Sequence, residues 1–178
     1  MVDVGLKVVG VGSVGTRCLI VLLEANDDTD PLFLQIKEAT ESVLEAYLPE
    51  STYSYHGERV VRGQRLMQVA SDIFLGWSVG GAGHAFYWRQ LYDMKGSAEV
   101  SKMSPRRLKM YAGLCGWTLA QSHARSGDPF AISGYIGSGT VFVDALTEFA
   151  HAYADQGEQD YAEFAAAIAS GRIEAKEG

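Results

Sequence analysis

The 178-residue chain reads as an α+β protein: an antiparallel five-stranded sheet with one or two helices, followed by a helical C-terminal part. Three observations predict this. Short apolar or alternating runs, separated by glycine, asparagine, aspartate and proline turns, fill roughly the first half of the sequence, as expected of strands joined by tight connections. Apolar residues at helical spacing dominate after Gly96. A composition 47% hydrophobic and 21% charged is that of a globular chain long enough to bury a sizeable core.

The elements follow in order. Residues 2–9 alternate at Val4, Leu6 and Val8 and read as a strand. Glycines then form a turn, and 16–24 is a second apolar segment that ends in the Asn/Asp-rich loop before Pro31. In 32–37, Leu34 and Ile36 occupy one face and Phe33, Gln35 and Lys37 the other, giving a third strand. Residues 42–48 are a short helix closed by Pro49, and 58–70 a longer one in which Val61, Arg65 and Gln68 recur at helical spacing against Leu66 and Val69. Two further strands, 73–79 and 85–92, flank the hairpin loop Gly80-Gly81-Ala82-Gly83-His84.

Beyond Gly96, Ser104 is placed to cap a helix with Pro105 at its first position. An apolar stripe of Leu108, Tyr111, Leu114, Cys115, Thr118, Leu119 and Ser122 carries that helix to His123. Residues 140–154 and 158–170 read as two more helices, the second closed by Gly171. The expected organisation is a strand-rich, nucleotide-binding lobe over 1–95, a helical part over 96–173 and a frayed tail at 174–178.

A net charge of -7 supplies no broad basic face for a nucleic-acid backbone. No run approaches the roughly 18 apolar residues of a membrane span, and no basic-then-apolar leader opens the chain, so a cytoplasmic protein is expected. Cys18 and Cys115 match no ligand spacing and read as reduced thiols. The first strand starts almost at Met1, which reads as a truncated domain.

The most informative motif is Gly10-Val11-Gly12-Ser13-Val14-Gly15. Glycines let a backbone approach an anion and aim free N–H groups at phosphate oxygens. Dinucleotide-binding folds follow such a loop with a helix, whereas kinase-like folds follow it with a strand. In the first reading 16–24 is a helix, Glu38 takes the ribose, and the chain is an NAD-binding oxidoreductase domain. Against it, residues 18–23 are apolar on every side, include Ile20 and Val21, and are short for a crossover helix. In the second reading the glycine loop tips a hairpin and Lys37 projects from the next strand toward the phosphates of Mg-ATP. An acidic residue on the following helix would aim it; Glu58 is the first choice of partner, with Glu45 and Glu41 as alternatives. Gln90 and Leu91 then lie where the chain passes an adenine.

Six stretches resemble one bacterial family in order: residues 8–18 (VVGVGSVGTRC), 32–39 (LFLQIKEA), 57–68 (GERVVRGQRLMQ), 72–77 (DIFLGW), 86–96 (FYWRQLYDMKG) and 115–128 (CGWTLAQSHARSGD). They are similar to the C-terminal part of the domain of unknown function 2252 family, whose members resemble the protein-kinase and aminoglycoside-phosphotransferase superfamily. The resemblance implies Mg-ATP binding and phosphoryl transfer. It also implies a His-Gly-Asp-x-His-x-x-Asn loop and a following Asp motif for the acceptor hydroxyl and Mg²⁺, and neither follows His123 here. Longer members of the family place such a segment upstream of the glycine loop. By that resemblance the chain is a nucleotide-binding half without its catalytic half, its catalytic residues unknown, open to docking of the missing half or to self-association.

The remaining residues read more plainly. His123, Arg125 and Asp128 stand at a helix end, where the cations complement the helix dipole and Asp128 caps the next segment. His56, His84 and His151 are scattered without ligand spacing, so no metal site is expected. Trp77, Trp88 and Trp117 read as core or sheet-packing residues, and Arg59, Arg62 and Arg65 as a solvated face. A non-catalytic interaction module, with the glycine loop only a tight turn, is the alternative function.

Overall fold

A computed structural model describes residues 1–7, 14–24, 30–92 and 96–175. Five antiparallel strands, β1 (Asp3–Leu6), β2 (Cys18–Glu24), β3 (Pro31–Ala39), β4 (Gly76–Val79) and β5 (Ala85–Gln90), form one sheet in the order β1-β2-β3-β5-β4. Helix α1 (His56–Met67) lies in sequence between β3 and β4, and α2 (Pro105–Ser126) follows β5. The described chain divides into two compact units, 1–128 and 129–178. Because α2 packs on α1, it belongs with the sheet despite the composition change near Gly96.

Cys18–Glu24 is a strand paired along its length with β3 and over Leu19 to Leu22 with β1, which corrects the helix that the dinucleotide alternative required. Its β-branched and leucine side chains suit a strand with apolar neighbours on both faces. The buried strand residues include the small Cys18, Ala39 and Ala85, and Val61 of α1 and Leu75 just before β4 are buried too, with Val61 1% and Leu75 3% exposed. Small residues let α1 approach β5 and β4 closely.

Boundaries shift where local hydrogen bonds decide. The strand expected over 73–79 starts only at Gly76, because Asp72 turns the chain: its carbonyl accepts from Leu75 N at 3.1 Å and its carboxylate from Phe74 N at 2.8 Å. The short helix near 42–48 is a 3₁₀ turn, Val43–Ala46, with the Ser42 side chain accepting from Leu44 N. Ser104 caps α2 as expected, its hydroxyl accepting from Arg107 N.

The stripe expected to bury α2 is largely exposed: Leu108, Tyr111, Leu114 and Leu119 are all exposed, while Ser122 on the same helix is buried. Trp117, expected in the core, is 60% exposed. Trp77 and Trp88 do pack on the sheet, Trp77 stacked on Tyr55 at 5.4 Å and Trp88 lying over Gly76.

In the second unit, α3 (Pro129–Ile136) and α4 (Thr140–Ala169) are the helices. The two helices expected over 140–170 are one, because Gly157 weakens a helix without removing a hydrogen bond, and Gln156 Nε2 donates to Asp160 Oδ1 at 2.8 Å across it. Helix α3 carried its own signal in Asp128-Pro129, proline at the first helical position. The tail residues 176–178 lie outside the described residues. Among the described residues, no helix is long and apolar enough to cross a membrane.

Candidate functional site

Residues directly opposite one another in antiparallel strands project to the same face, so the register defines what surrounds Lys37. Lys37 faces Cys18 on β2 and Tyr87 on β5; Gln35 faces Ile20 and Arg89; Phe33 faces Leu22. Helix α1 covers the far end of this face. Trp77, opposite Tyr87, stands with its Cβ 3.3 Å from the point a Cβ on Gly57 would occupy. The near end stays open, with Phe33 43% exposed.

A cysteine and a tyrosine stand directly opposite Lys37, and Arg89 is a second cation on the same face. Gln35 Nε2 donates to Cys18 Sγ at 3.7 Å, and its Oε1 accepts from Arg89 Nη2 at 3.4 Å. Burial pushes the Tyr87 phenol above its ordinary range, with the Arg89 charge opposing. Among the described residues Lys37 has no carboxylate within ion-pair distance. Glu58 stands in the first turn of α1, its Oε1 3.4 Å from Arg62 Nε. Glu45 lies 3.9 Å from Arg59, and Glu41 lines a separate cleft with Glu45, Glu50 and His56. The structure therefore does not bring Lys37 together with any of its three expected partners.

Gly10, Gly12 and Ser13 lie outside the described residues, as do Asp93 and Lys95. Gly15 has φ +82°, a left-handed turn that favours glycine, and stands three residues before Cys18, the cross-strand neighbour of Lys37. The loop thus rejoins the sheet beside Lys37.

Its return is held by a cluster of Arg17, Glu38 and His84 that the sequence does not announce. Glu38, on the opposite face from Lys37, accepts from Arg17 N at 3.0 Å and from Arg17 Nη1 at 2.9 Å, and Glu38 N donates to Arg17 O at 2.9 Å. His84 Nδ1, from the β4–β5 turn, lies 3.1 Å from Glu38 Oε1 and 3.3 Å from Arg17 Nη1. It accepts from arginine in one tautomer and donates to the carboxylate in the other, or when protonated. Arg17, Glu38 and His84 are separated by 21 and 67 residues in the pairs they form, so no local pattern announces them. Glu38 thus anchors the loop's exit.

The Arg17 backbone N–H bond, followed by the guanidinium charge, holds the Glu38 carboxyl below its ordinary range. A depressed carboxylate pKa contributes stability that is present above the unfolded-state value and lost as pH falls through the folded-state value. Glu38→Gln is accordingly expected to cost about 1 kcal/mol at neutral pH, Arg17 being half exposed. It should also flatten the acid side of the stability curve. Urea midpoints from neutral pH to about pH 3 check this, and parallel curves for the two proteins would refute it.

Gln90 and Leu91 line a cleft of about 450 Å³ with Pro31, Phe33 and Tyr92. Their amides are already engaged: Gln90 N donates to Asp72 Oδ2 at 2.6 Å and Leu91 N to Phe33 O at 2.8 Å. The cleft therefore offers the rings of Phe33 and Tyr92 to a flat ligand, rather than those two N–H groups. Phe33 also lines a second, smaller depression with Ile20, Leu22 and the β1 residues Asp3 to Gly5, so an apolar floor runs along β2 and β3. From Phe33 to Lys37 is four residues, roughly 13 Å of strand.

The fold defines an α+β protein whose five-stranded antiparallel sheet carries Lys37 on its third strand, without a carboxylate in ion-pair distance among the described residues. The chain belongs to the DUF2252 family, described as an uncharacterised protein conserved in bacteria, which matches residues 1–167. No curated protein and no solved structure matches it.

Proposed function

We propose that the chain binds Mg-ATP through the glycine loop, Gly10, Gly12, Ser13 and Gly15, and through Lys37, as the nucleotide-binding lobe of a kinase-like phosphotransferase. In this reading phosphoryl transfer awaits a catalytic and Mg²⁺-binding half. The observation that carries it is the antiparallel pair β1–β2, between which the sequence carries the glycine run, followed by Lys37 on the third strand with no carboxylate within ion-pair distance among the described residues. A lysine so placed acts as a point charge on phosphate oxygens, and protein kinases put a glycine-rich loop and a β3 lysine to that use. The strand order, with α1 between β3 and β4, supports the same reading. The roughly 13 Å from Lys37 to Phe33 separates a phosphate subsite from a base subsite at Phe33, Gln90, Leu91 and Tyr92. Glu58 becomes the partner of Lys37 in the nucleotide-bound state, exchanging Arg62 for the lysine.

Calorimetric titration with Mg-ATP tests the proposal. Lys37→Ala is expected to lose roughly 1.5–3 kcal/mol of binding, as for one charge-assisted contact, or about 10- to 150-fold in Kd. Equal affinities would remove Lys37 from the site. If NAD binds in preference to ATP, the Mg-ATP reading is overturned. A Tm indifferent to every nucleotide would favour a non-catalytic interaction module.

A further inference from the structure

We propose that a second site, separate from the Lys37 face, lies between the last turn of α1 and the second half of α2, and that it takes a small, neutral, mainly apolar molecule bearing one hydrogen-bonding group. The cavity measures about 450 Å³, within the roughly 300–1,000 Å³ of small-molecule pockets. Met67, Val69 and Trp117 supply its apolar walls, glutamine side chains stand among them, and no charged residue lines it. The absence of charge from the lining selects a neutral ligand.

The two helices are fastened around it. Arg125 of α2 donates from Nε to Leu66 O at 2.8 Å and from Nη2 to Arg65 O at 3.4 Å, satisfying carbonyls at the α1 C-terminus. Arg65 in turn donates to Leu75 O at 2.6 Å. These bonds fix the spacing of the walls, so the ligand need not organise them.

The polar contact is identified by what Ser122 lacks. Thr118 and Ser126, one turn before and one turn after it, each donate to the carbonyl four residues back: Thr118 Oγ1 to Leu114 O and Ser126 Oγ to Ser122 O, both at 2.9 Å. Ser122 lines the same cavity, is 7% exposed, and its Oγ has no hydrogen-bond partner among the described residues. A buried hydroxyl without a partner calls for one, and a ligand hydroxyl or carbonyl seated among Trp117, Met67 and Val69 provides it.

The matched probes 2-naphthol and naphthalene, titrated into the intact ¹⁵N-labelled protein, test the site through the Trp117 indole N–H and the Ser122 amide. 2-Naphthol is expected to shift both signals saturably and to bind roughly three- to tenfold more tightly than naphthalene, the effect of one neutral hydrogen bond. Ser122→Ala should abolish that preference while leaving naphthalene binding in place. Gln121→Trp, which fills the cavity from its rim, should abolish binding of both. The proposal is overturned if neither probe shifts Trp117 saturably, if the two bind wild type equally, or if Gln121→Trp leaves both titrations unchanged.

Discussion

Gly57→Ala should destabilise the protein by roughly 2–3 kcal/mol, while Gly63→Ala, the same change two turns on in the same helix, should stabilise it by about 0.5–1 kcal/mol. The opposite signs follow from what each new methyl meets. A Cβ on Gly57 would lie 2.4 Å from the carbonyl oxygen of Phe86 and 3.0 Å from its carbonyl carbon, both backbone atoms of a paired strand, whereas a Cβ on Gly63 meets nothing within 4 Å. Alanine improves helix propensity at both positions. At Gly57 that gain is outweighed, because either α1 must withdraw from the sheet or β5 must bend. Withdrawal would lift the helix from Trp77 and from the strand that carries Tyr87, the neighbour of Lys37. In thermal unfolding each kcal/mol moves Tm by about 2–4 °C for a chain of this size, so the two variants should melt on opposite sides of wild type. Small shifts of the same sign would mean that α1 does not seat its first turn against β5.

The contrast between these glycines also shows how far the sequence is legible. Both are glycines in one amphipathic segment, and nothing local tells them apart; the strand that crosses Gly57 lies about 30 residues further on. Signals with a short period were readable. The alternation of 32–37 placed Lys37, Gln35 and Phe33 on one face, and the apolar run from Cys18 to Leu23 pointed to a strand instead of a crossover helix. Ser104-Pro105 marked the start of α2 to the residue. Whatever depended on a distant partner was not readable. The α2 stripe had the right period for burial, yet Leu108, Tyr111, Leu114 and Leu119 are exposed, and Gly157 suggested a break that the continuous helix α4 does not show. The loop and lysine of the proposed site were singled out from residue type and spacing. Arg17, His84 and Asp72, which hold the surrounding segments in place, act across 18 to 67 residues and were found only in the fold. Arg125, read as a complement to its own helix end, instead caps α1.

Asp72→Ala is the other substitution expected to have a large effect, about 2–4 kcal/mol of stability, because one carboxylate closes two segments at once. Its Oδ1 accepts from Phe74 N at 2.8 Å, starting β4, and its Oδ2 from Gln90 N at 2.6 Å, ending β5. Alanine would leave both amide donors without these partners in a part-buried setting, and a hydrogen bond to a charged group is worth roughly 1.5–3 kcal/mol. The loss is a large share of the roughly 5–15 kcal/mol that holds a domain folded. Asp72→Asn should fall between the two, since its carbonyl can still accept from Phe74 while its amide turns a donor toward the Gln90 donor. Hydrogen exchange supplies a second readout: the Gln90 amide should lose protection in both variants, and Phe74 only in the alanine variant. If Gln90 stays protected in Asp72→Ala, the end of β5 is held by its pairing with β3 alone. In that case the Asp72 contact would position neither the strand nor the cleft at Phe33, Leu91 and Tyr92. If it exchanges freely, Asp72 sets the course of the chain as it leaves the sheet, and the shape of that cleft depends on a residue that lines no part of it.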